Sequence, residues 1–180
     1  MCALGGLLAA AWVDADARFD RLVPPGALVE PLAGAFGFTE GPLWNAARQE
    51  LLFSDIPADR IVRWAEWPGG PTLGTWRSPS GRSNGLTLDA AGRLIVCEHA
   101  NRRVSRIAPD GSGSMVADRF RGKRLNSPND AVVRSDGTIY FTDPPYGVEP
   151  QARELEFSGV YRVPAGGGPP PPPPRAGPAP

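Results

Sequence analysis

Histidine occurs once in the 180 residues, as His99, and cysteine twice, as Cys2 and Cys97. A single histidine excludes any site that needs two. Two cysteines provide neither a disulfide framework nor a cysteine-rich metal cluster. Net charge is missing as well, because nineteen basic residues cancel nineteen acidic ones. A nucleic-acid binder needs a basic face, so no nucleic-acid partner is expected. No apolar run approaches the roughly 20 residues of a transmembrane helix, and no membrane partner is expected either. Helical apolar spacing is scarce. Glycine and proline, in contrast, are abundant at 22 each. Most of them punctuate short apolar runs. The rest crowd into one block, Gly166 to Pro180, with six consecutive prolines from Pro169 to Pro174.

The length suits one domain. Three segments are expected: a loosely ordered start over 1–16, a folded body over 17–163 and a disordered Gly/Pro-rich tail over 164–180. Cys2 to Trp12 is apolar and rich in small residues. It lacks the basic start of a secretory signal and is short for one. A cytoplasmic location is therefore expected, with a periplasmic or secreted one as the alternative.

The body repeats itself. Leu51-Leu52-Phe53-Ser54-Asp55 is followed by Arg60-Ile61-Val62-Arg63-Trp64. Leu94-Ile95-Val96-Cys97-Glu98 is followed by Arg103-Val104-Ser105-Arg106-Ile107, and Ile139-Tyr140-Phe141-Thr142-Asp143 by Val160-Tyr161-Arg162-Val163. Each unit is a β-rich run closing on an acid, then a second run with arginine next to its last residue. The acids Asp55, Glu98 and Asp143 are spaced by 43 and 45 residues. In the third unit an insertion of about 144–158 delays the second run. Another short strand precedes each acid strand: Pro42-Leu43-Trp44, Leu86-Thr87-Leu88 and Ala131-Val132-Val133. Ahead of these stand Glu40, Asn84 and Asn129, each 14 or 15 residues before its acid.

A period in the low forties with several short strands per repeat predicts a β-propeller of four-stranded antiparallel blades. A blade buries its faces only against its neighbours. The innermost strands run along the central channel, so polar residues at their entries converge near the axis. That geometry makes Glu40, Asn84 and Asn129 one candidate site. The competing reading is turn chemistry, which asparagine also favours. The repeat register favours the site for Glu40 and Asn129 and leaves both readings open for Asn84.

Three motifs carry a family resemblance: Phe38-Thr39-Glu40-Gly41-Pro42-Leu43-Trp44, Asn126-Ser127-Pro128-Asn129-Asp130, and Tyr140-Phe141-Thr142-Asp143-Pro144-Pro145-Tyr146-Gly147. In order and spacing the chain resembles the SMP-30/gluconolactonase/LRE-like family over roughly 17–163. The resemblance implies a six-bladed propeller with a divalent metal in its channel, and hydrolysis of lactones or related esters. It implies Glu40 as a metal ligand. It places Asn129 at the metal and the substrate, with Asp130 beside it as the second catalytic candidate. The segment 143–158 would form a loop over the channel mouth, with Tyr146 as a substrate wall. Asn84 and Arg124 complete the expected substrate-binding set. For Arg124, as for Arg82, an exposed loop arginine without such a role is the competing reading. The expected partner is a small lactone or ester, and no oligomer is expected.

The residue types suit this chemistry. Carboxylate and amide oxygens are hard ligands, suited to Ca²⁺ first and also to Mg²⁺ or Mn²⁺. Zn²⁺ is less natural without histidine or cysteine ligands. A divalent ion would polarise the lactone carbonyl, activate water and stabilise the oxyanion, and a nearby carboxylate would serve as general base. The alternative is a non-catalytic propeller fragment or scaffold.

The resemblance implies six blades and three are visible, so the chain reads as the N-terminal half of a propeller. The Gly/Pro tail has no core-forming residues and cannot continue a blade. The expectation is a truncated product, from a reading-frame slip in G/C-rich DNA, rather than a docking tail. The other expected metal ligands would lie in later blades, so weak or absent activity and poor stability are expected. Three smaller patterns have plain readings. Gly81-Arg82-Ser83-Asn84-Gly85 fits a nucleophile elbow in letters only, because a strand follows where a helix is needed. Asp110-Gly111-Ser112-Gly113-Ser114 reads as a hairpin turn rather than a calcium loop. His99 reads as a polar loop residue, with a substrate contact as the alternative, Cys97 as core, and Trp44, Trp64 and Trp67 as filler between blades.

Overall fold

The computed structural model describes residues 19–165. The expected loose start over 1–16 and residues 166–180 of the expected tail lie outside the described residues. The chain divides into two compact units, Met1–Ala35 and Phe36–Pro180. Within the first, the carbonyl of Phe19 accepts the N–H groups of Leu22 and Val23, making a turn in an otherwise irregular, exposed segment.

The second unit is all-β and holds three antiparallel sheets in the repeat order read from the sequence. The first is β1 (Thr39–Asn45), β2 (Glu50–Asp55), β3 (Arg60–Trp67) and β4 (Gly70–Arg77), paired in chain order. The second is β5 (Ser83–Leu88), β6 (Leu94–Glu98), β7 (Arg103–Ile107) and β8 (Gly113–Ala117), built the same way. A two-stranded ribbon, β9 (Arg119–Phe120) and β10 (Lys123–Arg124), leads to the third. That sheet consists, among the described residues, of β11 (Ala131–Val133), β12 (Ile139–Asp143) and β13 (Gly159–Val163). A short 3-10 turn, Pro150–Ala152, lies in the insertion before β13. These are three consecutive blades of a β-propeller.

Alternation along each strand decides which face is buried. Leu52 and Ile61 of the first blade meet Leu86, Leu94, Val96 and Ile107 of the second. The opposite face of the second blade, with Ile95, Cys97 and Val104, meets Ile139, Phe141, Tyr161 and Val163 of the third. The middle strands of the second blade, β6 and β7, therefore feed two cores, and β6 is buried along its whole length. The tyrosine of β13 stacks on Phe141 at 5.2 Å and fills the outer part of the second core. Outermost in the series, Val132 and Val160 of the third blade are exposed.

The tryptophans correct one expectation. Trp44 and Trp67 are about half exposed, and the tryptophan packed between the first two blades is Trp76. In register, Trp44 aligns with Leu51, Trp64 and Leu73. This row is one position out of phase with Leu43 and Leu52, so it faces away from the second blade.

The acid closing each second strand staples a loop, and the three staples are not equivalent. Asp55 accepts the Gly37 N–H at 3.1 Å and pairs with Arg60, five residues on, at 2.9 Å. Glu98 pairs with Arg103, also five residues on, at 2.8 Å. Five residues after Asp143 stands Val148, because the insertion displaces the arginine-bearing strand. Asp143 is fully buried and accepts the Asn126 N–H at 2.8 Å.

Candidate active site

The inner strands of the three blades approach one another closely at one point on the axis. Gly85 donates its N–H to the Asn129 carbonyl at 2.8 Å, and the Asn84 carbonyl accepts the Ser54 hydroxyl at 2.8 Å. The glycines make this approach possible. A Cβ at Gly41 would stand 2.2 Å from the Asn84 carbonyl oxygen, and one at Gly85 would stand 2.6 Å from the Asp130 Cα. Gly41 also has φ +58°, a left-handed conformation that glycine adopts without strain. Both strands bulge here, between Glu40 and Leu43 in β1 and between Ser83 and Leu86 in β5. A bulge bends its strand and re-aims the side chains beside it.

The third blade presents its residues from the loop before β11. The Asn129 N–H donates to the Thr142 carbonyl at 2.9 Å, and the Thr142 N–H donates to the Asp130 carbonyl at 2.9 Å. The Asp130 N–H adds a bond to the Thr142 hydroxyl at 3.1 Å. Upstream, Asp143 holds the Asn126 N–H, while the Asn126 side-chain amide donates to the Phe157 carbonyl at 3.1 Å. The loop 126–130 is thus pinned at both ends to β12 and to the insertion.

Glu40, Asn84, Asn129 and Asp130 line one cleft of about 450 Å³, with Gly41, Gly85 and backbone of the three inner strands as its walls. Asn84 is buried, Glu40 and Asn129 are half-buried and Asp130 is exposed. The turn reading of Asn84 does not hold, because the residue lies inside β5. Arg124 does not line this cleft. It sits on β10, with its N–H bonded to Glu154 at 2.7 Å and its guanidinium 3.4 Å from the Asn101 carbonyl. Tyr146 is 79 % exposed in the insertion and does not line the cleft either. Its neighbour Gly147 donates its N–H to the Ser127 hydroxyl, which brings the insertion down onto the loop that carries Asn129.

Two features of the site went unread in the sequence. One is the pair of glycines, although a glycine follows the polar residue in each of the first two repeats. The other is the partner of His99, read as a polar loop residue: its Nε2 lies 3.2 Å from the Asn84 side-chain nitrogen. Burial pushes the His99 pKa below its ordinary value, which keeps the ring neutral at pH 7.

The chemistry of the cleft is that of hard oxygen donors: two carboxylates and two amides. Among the described residues no group of three or more His, Cys, Asp or Glu side chains could hold a metal ion, so a cation here needs amide or backbone oxygens as well. The donor set suits a hard divalent cation best and suits one that prefers sulfur or imidazole least.

The sequence profile of the SMP-30/Gluconolactonase/LRE-like region matches residues 38–168. The chain belongs to this family. A gluconolactonase of Zymomonas mobilis is 32% identical over 163 residues, a match covering 81% of this chain and 45% of that protein. A solved gluconolactonase from Xanthomonas campestris superposes with a TM-score of 0.68 at 38% identity, covering 75% of this chain and 46% of the other. Another solved protein of the gluconolactonase family gives a TM-score of 0.76 at 37% identity, covering 86% and 55%. The chain spans about half the length of the relatives it matches. A streptogramin B lyase, at 13% identity and a TM-score of 0.52, shares the fold.

Proposed function

We propose that the chain carries the N-terminal part of a metal-dependent lactonase site of the gluconolactonase type. The observation that carries this reading is the convergence of Glu40, Asn84 and Asn129. They come from equivalent positions of three successive blades and line one cleft, in a chain of this family. Glu40 and Asn129 would hold a divalent cation, Ca²⁺ by the hardness of the donors, with Mg²⁺, Mn²⁺ or Zn²⁺ as substitutes. When bound, such an ion supplies Lewis-acid polarisation of the ester carbonyl. Asn84 positions a substrate hydroxyl by hydrogen bonding. Asp130 is the carboxylate placed to take a proton from water as it attacks the ring carbonyl. The Asn129 backbone is held on both sides, its N–H by Thr142 and its carbonyl by Gly85, which limits the reorganisation its amide needs.

Two protein ligands hold an ion loosely, so turnover by the 180-residue chain is weak. The test is gluconolactone opening, followed as acid release in a pH-stat and corrected for the uncatalysed rate. A rate above background that chelator and Glu40→Gln both abolish supports the proposal. No excess rate at saturating Ca²⁺, or a rate that Glu40→Gln leaves intact, overturns it and favours a non-catalytic propeller fragment.

A further inference from the structure

We propose that His99 is a positioning residue of the cleft: its Nε2 accepts a hydrogen bond from the Asn84 side-chain amide and thereby turns the Asn84 carbonyl oxygen toward the ligand. The cleft wall at Asn84 then accepts hydrogen bonds, which suits a polyhydroxylated ligand. This use of Asn84 rests on the lactonase reading, whereas the hydrogen bond itself does not.

The backbone of Asn84 has no freedom left. Its carbonyl is held by Ser54, and the next N–H is held by Asn129. What remains free is rotation of the terminal amide, whose two ends differ in chemistry: NH₂ donates and oxygen accepts. The contact of 3.2 Å joins Asn84 Nδ2 to His99 Nε2. A nitrogen that faces an NH₂ group must be the unprotonated one, so the ring is the Nδ1–H tautomer.

The residue that carries the ring is held at its backbone and at its Cβ. The His99 N–H donates to the Arg82 carbonyl at 3.2 Å, and the His99 carbonyl accepts the Arg102 N–H at 3.2 Å. From the insertion, Gly147 packs so closely that a Cβ on it would stand 3.3 Å from the His99 Cβ and 2.6 Å from the Ser127 hydroxyl. The charged groups nearest the ring in the chain are engaged elsewhere or exposed. The Glu98 carboxylate is bound by Arg103, Asn101 and Ser105. The Arg102 guanidinium donates to the carbonyls of Leu125 and Ala152. Arg82 is exposed, as is Tyr146 on the insertion. Burial alone therefore keeps the ring neutral. A protonated ring has only donors. It would turn the Asn84 amide around, present NH₂ to the cleft and convert an accepting wall into a donating one.

His99 is the chain's only histidine, so its two ring nitrogens give an unambiguous pair of ¹⁵N signals in the intact protein. The expected result at pH 7.5 is an unprotonated Nε2, with the tautomer balance moving toward Nε2–H in Asn84→Ala. A protonated Nε2 in the wild type, or ring signals indifferent to Asn84→Ala, overturns the proposal. A second arm measures gluconolactone opening. His99→Gln, whose carbonyl can still accept from Asn84, is expected to stay within about threefold of wild type. His99→Leu is expected to lose tenfold or more in kcat/KM, mostly through KM. The acid limb of kcat/KM that follows the His99 titration should vanish in His99→Gln. Equal kcat/KM in His99→Leu and wild type also overturns the proposal. If the wild type opens no lactone, the functional reading fails, and the ring signals still decide the hydrogen bond.

Discussion

Replacing Asp143 with asparagine should stabilise the protein at neutral pH. In the first two blades the acid ending the second strand has an arginine five residues later, and the ion pairs Asp55–Arg60 and Glu98–Arg103 form at 2.9 and 2.8 Å. In the third blade the insertion removes that arginine, and Asp143 is left fully buried with backbone N–H partners and one oxygen unpartnered. Burial pushes its pKa up from 3.8 to about 6, against the Asn126 and Ser127 N–H groups and the more distant Arg102 charge. Asp55, held by Arg60 and the Gly37 and Phe38 N–H groups, goes the other way despite its burial. With the folded-state pKa above the unfolded one, the folded protein holds more protons between pH 4 and 6. Stability is therefore lost as pH rises through that window. Two pKa units correspond to roughly 3 kcal/mol at pH 7.5. An asparagine accepts the same N–H groups without a charge. Urea unfolding of Asp143→Asn and wild type at pH 4, 5, 6 and 7.5 should show a gap below about 1 kcal/mol at pH 4, growing to about 3 kcal/mol by pH 7.5. A variant that is less stable at pH 7.5, or a gap that does not change with pH, would show that Asp143 is not a buried, destabilising charge.

Gly85→Ala sets a Cβ against the Asp130 backbone and should cost about 1–3 kcal/mol, read by thermal unfolding. Gly74→Ala, in open space on β4, serves as its control. Asp55 has a lowered pKa, so its contribution is present above pH 3.8 and disappears as pH falls through the folded value. Asp55→Asn should therefore be destabilising at pH 7 and converge with wild type in strong acid, as followed by urea unfolding across pH. His99 is shifted down by burial, which makes the folded protein lose stability on acidification below pH 6.5. His99→Gln should flatten that part of the stability profile.

The blades were legible because the acid, the arginine and the inner polar residue recur in step, and each recurrence has a physical use. The acids staple loops. Arg106 pairs with the turn acid Asp89 at 3.3 Å. That register alone pointed Glu40 and Asn129 at one site, and it left Asn84 open between the site and a turn. What stayed hidden depended on contacts between repeats. Nothing in Glu40-Gly41 or Asn84-Gly85 announces that the next inner strand passes within van der Waals distance of the glycine. The bond between His99 and Asn84 requires the Ser83–Glu98 pairing and the bulge beside it. Arg124 and Tyr146 were expected at the cleft from the resemblance. The β9–β10 ribbon and the insertion place them outside it, and loops of this kind vary most and repeat least. The fourth strands β4 and β8 carry exposed outer positions with little apolar alternation, so no pattern distinguished them.

In the proposed site, oxygens from separate blades serve one cation. Calorimetric titration of the chain with Ca²⁺ tests it most directly, comparing wild type with Glu40→Gln and Asn129→Ala. One saturable site is expected in the wild type, with a Kd on the order of millimolar, and its loss in both variants. Ca²⁺ binding that survives either substitution, or no saturable binding by the wild type, would contradict it.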